Sequence, residues 1–189
     1  DLSQFTQNSF NSSGLPKRVL FVGAASIRKG IPWLLKAIEP LQTEVECHLV
    51  GPIDGIIKDK YASQFPANLI VRGPLSRVDI LREFREADIF CLPSVEEGFP
   101  LSLLQAMASG LPCVVTNEAS GGIIEDNING IVVASKDSIA LEGALKLLVA
   151  DEQLRREFAI KSRRDVETGF SWNDYGMRAI NTYNQMGLI

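Results

Sequence analysis

The chain has 189 residues, 46% of them hydrophobic and 22% charged, with a net charge of −4. This composition excludes a disordered chain, and the mild negative charge gives no overall drive toward nucleic acid. No apolar run approaches the roughly 20 residues of a membrane-spanning helix. The length fits one domain with a full core, or two cramped ones. Asp1 in place of a methionine predicts a cut or processed chain, and no secretory leader is legible. Cys47, Cys91 and Cys113 lie in apolar stretches without metal or disulfide spacing, which predicts buried thiols in a reducing, cytoplasmic compartment.

Residues 1–17 are rich in Ser, Asn and Gln, pass Gly14 and Pro16, and read as a lead-in or linker; residues 18–189 read as one domain. The first predicted strand is Arg18–Gly23, followed by the loop Gly23-Ala24-Ala25-Ser26-Ile27-Arg28-Lys29-Gly30 and a helix over Gly30–Glu39. Arg28 and Lys29 precede a helix N-terminus, where the dipole disfavours cations unless an anion shares the site. A phosphate reconciles these features, and a solvated basic loop is the plainer alternative. A strand at Val45–Gly51 holds His48, the only histidine, where a structural role is favoured over a general base. A helix over Gly55–Gln64 and a strand at Leu69–Gly73 follow. The Gly73–Ser76 turn is either only a turn or a wall for a flat base built on Leu75. It opens a helix over Arg77–Ala87 with Ser76 and Asp79 as a capping pair.

The strand Asp88–Leu92 leads through Pro93-Ser94-Val95-Glu96-Glu97-Gly98-Phe99 into a helix over Pro100–Ser109. Its first N–H groups, at Phe99, Leu101 and Ser102, are expected to face the strand ends. Glu96 and Glu97 either complement the helix dipole or accept hydrogen bonds from sugar hydroxyls while the terminus holds phosphate. Gln105, eight residues after Glu97, is either within ligand reach or an ordinary half-exposed position. Strands at Pro112–Thr116 and Gly130–Val133 complete the set, with helices over Asp137–Ala150, Glu152–Glu167 and Trp172–Met186, the last capped by Ser171 and Asp174. Arg155, Arg156, Lys161, Arg163 and Arg164 read as a solvated basic face, with contact to an anionic membrane as the alternative. Trp33 and Trp172 read as packing residues. Apolar strands alternating with helices define an α/β class, a Rossmann-like doubly wound parallel sheet of about six strands with helices on both faces. Ligands of such sheets bind outside the carboxyl ends of the strands.

Taken together, these loops resemble the C-terminal domain of family 4 (group 1) glycosyltransferases of the GT-B fold. The resemblance runs from Val19 to about Tyr183. It rests on Gly23 to Gly30, on Gly73 to Ser76, and above all on Pro93-Ser94…Glu97-Gly98-Phe99 followed by Gln105-Ala106-Met107-Ala108-Ser109-Gly110-Leu111-Pro112. Gly121-Gly122, Asn129-Gly130 and Phe170-Ser171-Trp172 match too. The resemblance implies transfer of a sugar from a nucleotide diphosphate sugar (UDP-, GDP- or ADP-linked) to an acceptor, with retention and without a metal or other cofactor. It assigns Lys29 to the diphosphate and Glu97 to the donor sugar as the catalytic pair. It assigns Gly23, Gly73, Leu75, Gly98, Phe99, Pro100, Leu101, Ser102 and Gln105 to donor binding, and Arg28 joins them as the candidate substitute for the family arginine missing at Ala24. Two positions depart from the pattern: Ala24 stands where an arginine is usual, and Gln105 where the second glutamate is usual. The alternative is a non-catalytic module that binds nucleotide or a protein partner. The resemblance also implies a missing N-terminal GT-B domain, toward which the C-terminal helix is free to cross, and little activity without it. The acceptor, a saccharide, a lipid-linked sugar or a small molecule, stays open, with peripheral attachment at the inner membrane face as one option and no role for nucleic acid.

Overall fold

A computed structural model describes residues 4, 5, 14, 16–170 and 172–188. Six parallel strands form one sheet in the order β3-β2-β1-β4-β5-β6: β1 Lys17–Val22, β2 Val45–Val50, β3 Leu69–Gly73, β4 Ile89–Leu92, β5 Cys113–Thr116 and β6 Ile131–Val133. The helices are α1 Ile31–Ile38, α2 Gly55–Tyr61, α3 Arg77–Glu86, α4 Leu101–Ala108, α5 Asn117–Ser120, α6 Ser138–Ala150, α7 Glu152–Gly169 and α8 Trp172–Gln185. They cover both faces of the sheet, with α1 packed on α6 and α4 on α7. Every predicted strand and long helix is present, most within one or two residues of its expected ends. One boundary moves: Lys17, read as lead-in, is the first strand residue, buried and paired in register with Val45. The four-residue α5 was not predicted, since one turn is too short to show a helical period. The Ser171 cap and the Trp172 side chain lie outside the described residues.

Burial explains the strand composition. β4 and β5 are buried at every position, so they read as unbroken apolar runs; the edge strand β3 exposes Val71 and Arg72. Phe21, Phe84 and Phe90 anchor the core, and Phe5 of the lead-in meets Phe84 edge-on at 6.2 Å between centroids. The three cysteines are free and buried. Burial pushes the Cys47 thiol up to about 12 and raises Cys91 and Cys113 strongly as well, so all three are inert thiols. The Ser76 cap forms as expected: its hydroxyl accepts from the Asp79 N–H at 3.2 Å and donates to the Asp79 carboxylate at 2.7 Å. Among the described residues no helix is long and apolar enough to cross a membrane.

The basic run on α7 is not simply a solvated face. Arg155 is buried and donates to the carbonyls of Leu148 and Val149, the unsatisfied C-terminal groups of α6. Arg163 donates to the carbonyls of Ala108 and Phe5 and pairs with Glu167 at 2.7 Å. Sequence periodicity could not show this, because the carbonyls that bind these cations are remote in the chain or belong to the α6–α7 corner.

His48 has the structural role expected of it. Its Nδ1 lies 2.7 Å from Glu83 and its Nε2 2.7 Å from Glu46, while Arg72 donates to Glu83 at 2.9 Å. This cluster ties β2 and β3 to α3. Burial pushes the Glu83 carboxyl up, but His48 and Arg72 outweigh it and hold the group below its ordinary value of 4.5. A carboxyl depressed on folding stabilises the fold above its unfolded value, and that contribution is lost as pH falls from about 4.5 through the lower folded value. Urea unfolding at pH 7 and pH 4 is therefore expected to show a larger loss of stability for the native chain than for Glu83→Gln. Equal losses in the two proteins would contradict this role.

Candidate functional site

The strand order reverses between β1 and β4: from β1 the chain moves outward to β2 and β3, from β4 to β5 and β6. In such sheets the loops leaving the two central strands at their carboxyl ends part at this reversal, and the space there is the usual ligand position. Here these loops are the two singled out in the sequence, and they lean directly on each other. The Arg28 carbonyl accepts from the N–H of Val95 at 2.8 Å and of Glu96 at 3.4 Å. The Arg28 guanidinium donates to the Glu96 carbonyl at 3.0 Å. Gly30 caps α1 at φ 76°, and a Cβ there would lie 1.8 Å from the Pro93 carbonyl oxygen. Only glycine tolerates both the left-handed backbone and that approach.

The stitched loops bring Lys29 against Glu97. The ammonium and carboxylate form an ion pair with side chains only 14% and 7% exposed. The Ser94 hydroxyl, itself buried, donates to the same Glu97 oxygen at 3.3 Å. Ser94 is held in turn from β5, where the Thr116 hydroxyl donates to its carbonyl at 2.6 Å. The Lys29 N–H rests on the Ser26 hydroxyl at 3.2 Å. Ser94 and Thr116 received no role from sequence; only the parallel pairing of β4 with β5 places Thr116 beside the loop.

The N-terminus of α4 opens beside this pair. Phe99 and Leu101 are exposed and Pro100 is buried as the cap residue. Of the three N–H groups expected to be free, that of Leu101 is not: it donates to the Phe99 carbonyl at 3.0 Å, a tight turn imposed where Pro100 fixes the backbone. The N–H groups of Phe99 and Ser102 have no acceptor among the described residues. Gly98 is exposed at the turn, and Gln105 is half-buried one turn along with no partner for its amide among the described residues. Gly121, at φ 55° after α5, lies beside the Pro100 ring: a Cβ added there would come within 3.7 Å of it.

The remaining predicted positions lie along the same sheet edge. Gly23 donates to the Val50 carbonyl at 2.9 Å, and Gly51 donates to the Gly73 carbonyl at 2.9 Å. Glycines thus carry the edge from β1 across β2 to β3. Leu75, half-buried after Gly73, follows β3, which lies two strands from β1 with β2 between them. Ala24 is exposed and offers only a methyl group where a cation was usual. Among the described residues no cluster of three or more His, Cys, Asp or Glu is arranged to hold a metal.

A 3-2-1-4-5-6 parallel sheet with a cation, a carboxylate and a helix N-terminus at its switch point is a Rossmann-type domain, here of the kind found in GT-B glycosyltransferases. The chain belongs to the family of glycosyl transferases group 1, whose profile matches residues 16–151. A glycosyltransferase of Methanocaldococcus jannaschii is 29% identical over 176 residues, covering 88% of this chain and 44% of that protein. Sucrose-phosphate synthase from Thermosynechococcus elongatus superposes with a TM-score of 0.84 at 22% identity, over 98% of this chain and 50% of that one. The Anabaena protein HepE, solved in complex with UDP-glucose, superposes with a TM-score of 0.83 at 17% identity, over 98% of this chain and 55% of that one. The chain thus spans about half the length of the curated relatives it matches.

If Gly30 seats the two loops, Gly30→Ala should lower stability to urea by more than about 2 kcal/mol, through strain at positive φ and a backbone clash. The control is Gly143→Ala within α6, where nothing lies within 4 Å of the added methyl. That change is expected to raise stability by about 0.5–1 kcal/mol. Equal effects at the two positions would contradict the close approach.

Proposed function

We propose that the chain is the donor-binding half of a retaining, metal-independent glycosyltransferase that transfers a hexose from a nucleotide diphosphate sugar. The observation that carries this reading is the contact of Lys29 with Glu97 beside the α4 N-terminus, at the switch point of a chain that belongs to the group 1 family. The leaving diphosphate gathers negative charge in the transition state. Lys29 and the free N–H groups of Phe99 and Ser102 are preorganised to receive it, with no need for further reorganisation. Glu97, seated by Ser94, would hold the sugar hydroxyls and align the anomeric carbon. Gln105 would meet the ribose through its carbonyl and amide, and Leu75 with Gly73 would lie against the base. Gly23 lets the backbone approach the phosphates, and Arg28 braces the loop that presents Lys29.

The acceptor would be met mainly by a second domain. The relatives' roughly twofold greater length supports that expectation, with α8 free to lie across to it. A saccharide, a small molecule or a lipid-linked sugar at the membrane face are all acceptors compatible with this arrangement. By the same reasoning the 189-residue chain alone would bind donor but turn it over little or not at all.

The exposed methyl of Ala24 and the amide of Gln105 favour a second reading, a nucleotide-binding module without chemistry. Both readings predict nucleotide binding; they separate on turnover by the whole protein, which the catalytic reading expects to fall at least about a hundredfold in Lys29→Ala.

A thermal-shift panel of UDP, GDP, ADP and their hexose conjugates checks the donor site. Ligand at about 100 times its Kd adds about 2.7 kcal/mol to native stability, so one base should stand out, and Lys29→Ala should lose most of its shift. A flat panel at millimolar nucleotide would contradict the reading.

A further inference from the structure

Lys29 and Glu97 do more than share a site, because without ligand they neutralise each other. Both side chains are largely withdrawn from water, and among the described residues the carboxylate has one further hydrogen-bond partner, the Ser94 hydroxyl at 3.3 Å. A diphosphate arriving at the α4 N-terminus competes with Glu97 for the ammonium, and drawing it fully to the phosphates leaves the carboxylate without its cation. The carboxylate then stands mostly buried, short of hydrogen-bond donors and close to an incoming anion. Both desolvation and like-charge repulsion oppose that state.

The chemistry of the arriving molecule decides whether this cost is offset. A hexose attached to the diphosphate carries several hydroxyl donors, and an ionised carboxylate is an acceptor with room for about four of them. A bare nucleoside diphosphate keeps only its ribose hydroxyls, which the donor-site reading places at Gln105, and so leaves Glu97 unsatisfied. Glu97 also has little freedom to turn toward solvent. Its loop is fixed by Thr116 on the Ser94 carbonyl at 2.6 Å and by the Arg28 carbonyl on Val95 at 2.8 Å. The partner with freedom to move is the long, flexible lysine side chain.

We propose that the Lys29–Glu97 ion pair is an internal occupant of the phosphate subsite, which discriminates a nucleotide sugar from the spent nucleoside diphosphate and helps to expel the latter. The inference rests on the donor-site reading above. The pair opens for a ligand that satisfies both partners. It closes again once the sugar has left, so that release of the diphosphate is assisted from within the site. Removing the negative charge of Glu97 therefore frees Lys29 and should strengthen binding of the diphosphate, the opposite of what a simple contact residue would do.

Calorimetric titration tests this with UDP, GDP and ADP and with their glucose, galactose and mannose conjugates, on the native chain, Glu97→Gln, Ser94→Ala and Lys29→Ala. The native chain is expected to bind its best hexose conjugate more tightly than the corresponding diphosphate. Glu97→Gln, which keeps the side chain's shape but not its charge, should bind that diphosphate about tenfold more tightly than the native chain and lose the preference for the conjugate. Ser94→Ala retains the charge and should not tighten diphosphate binding. A gain in affinity cannot arise from misfolding. If Lys29→Ala weakens binding while Glu97→Gln binds the diphosphate no more tightly than the native chain, the exchange mechanism is overturned and the donor site stands. A native chain that prefers the bare diphosphate overturns the mechanism independently of any variant. If neither the native chain nor Glu97→Gln binds any nucleotide at millimolar concentration, the donor-site reading fails and this inference fails with it.

Discussion

The close approach of the β1 and β4 loops at the point where the strand order reverses is the constraint on which the site depends. Elsewhere along a doubly wound sheet, neighbouring loops run the same way and fill the space between them. At the switch point they part, and a crevice would separate them unless something draws them together. Here Gly30 lies against the Pro93 carbonyl, and the Arg28 carbonyl takes the first N–H groups after Ser94. Lys29, between Arg28 and Gly30, has little choice but to face Glu97.

That geometry has an electrostatic consequence. A cation placed just before a helix N-terminus is unfavourable by the helix dipole, and a carboxylate as buried as Glu97 is unfavourable by desolvation. Bringing the two together relieves both. On the proposed exchange, the ligand favoured here is one that satisfies an ammonium and a carboxylate at once. The buried Ser94 and Thr116 carry this requirement back into the sheet, so that β5 steadies a residue on a loop that follows β4. The α4 terminus adds N–H groups at Phe99 and Ser102 that no described residue of the chain occupies. A molecule with phosphates at one end and hydroxyls at the other meets all of these demands.

Much of this was legible in the sequence, for identifiable reasons. The strands are apolar at nearly every position because both faces are covered, and glycines or prolines mark their ends, so β1 to β6 stand out clearly. Lys29, Glu97 and the Pro100 helix start were legible because each belongs to a short local pattern. What escaped reading depends on contacts between distant segments. Thr116 reaches Ser94 only through strand pairing, and Arg155 and Arg163 look like surface cations until the carbonyls they cap are in place. The Leu101 N–H looked free because the turn made by Phe99 and Pro100 cannot be read from a helix pattern. The ion pair itself lay beyond reach, since sequence named both residues for one ligand without placing them in contact.

The core and the candidate site both lie within the described residues of this chain. The most direct test of the account is a pair of crystal structures of this chain, one with a nucleotide sugar and one without ligand. With the sugar bound, the Lys29 ammonium is expected to leave Glu97 for the diphosphate, and sugar hydroxyls to take its place on the carboxylate while Ser94 stays put. A nucleotide sugar bound away from the α4 N-terminus, or bound there with the Lys29–Glu97 contact intact, would contradict it.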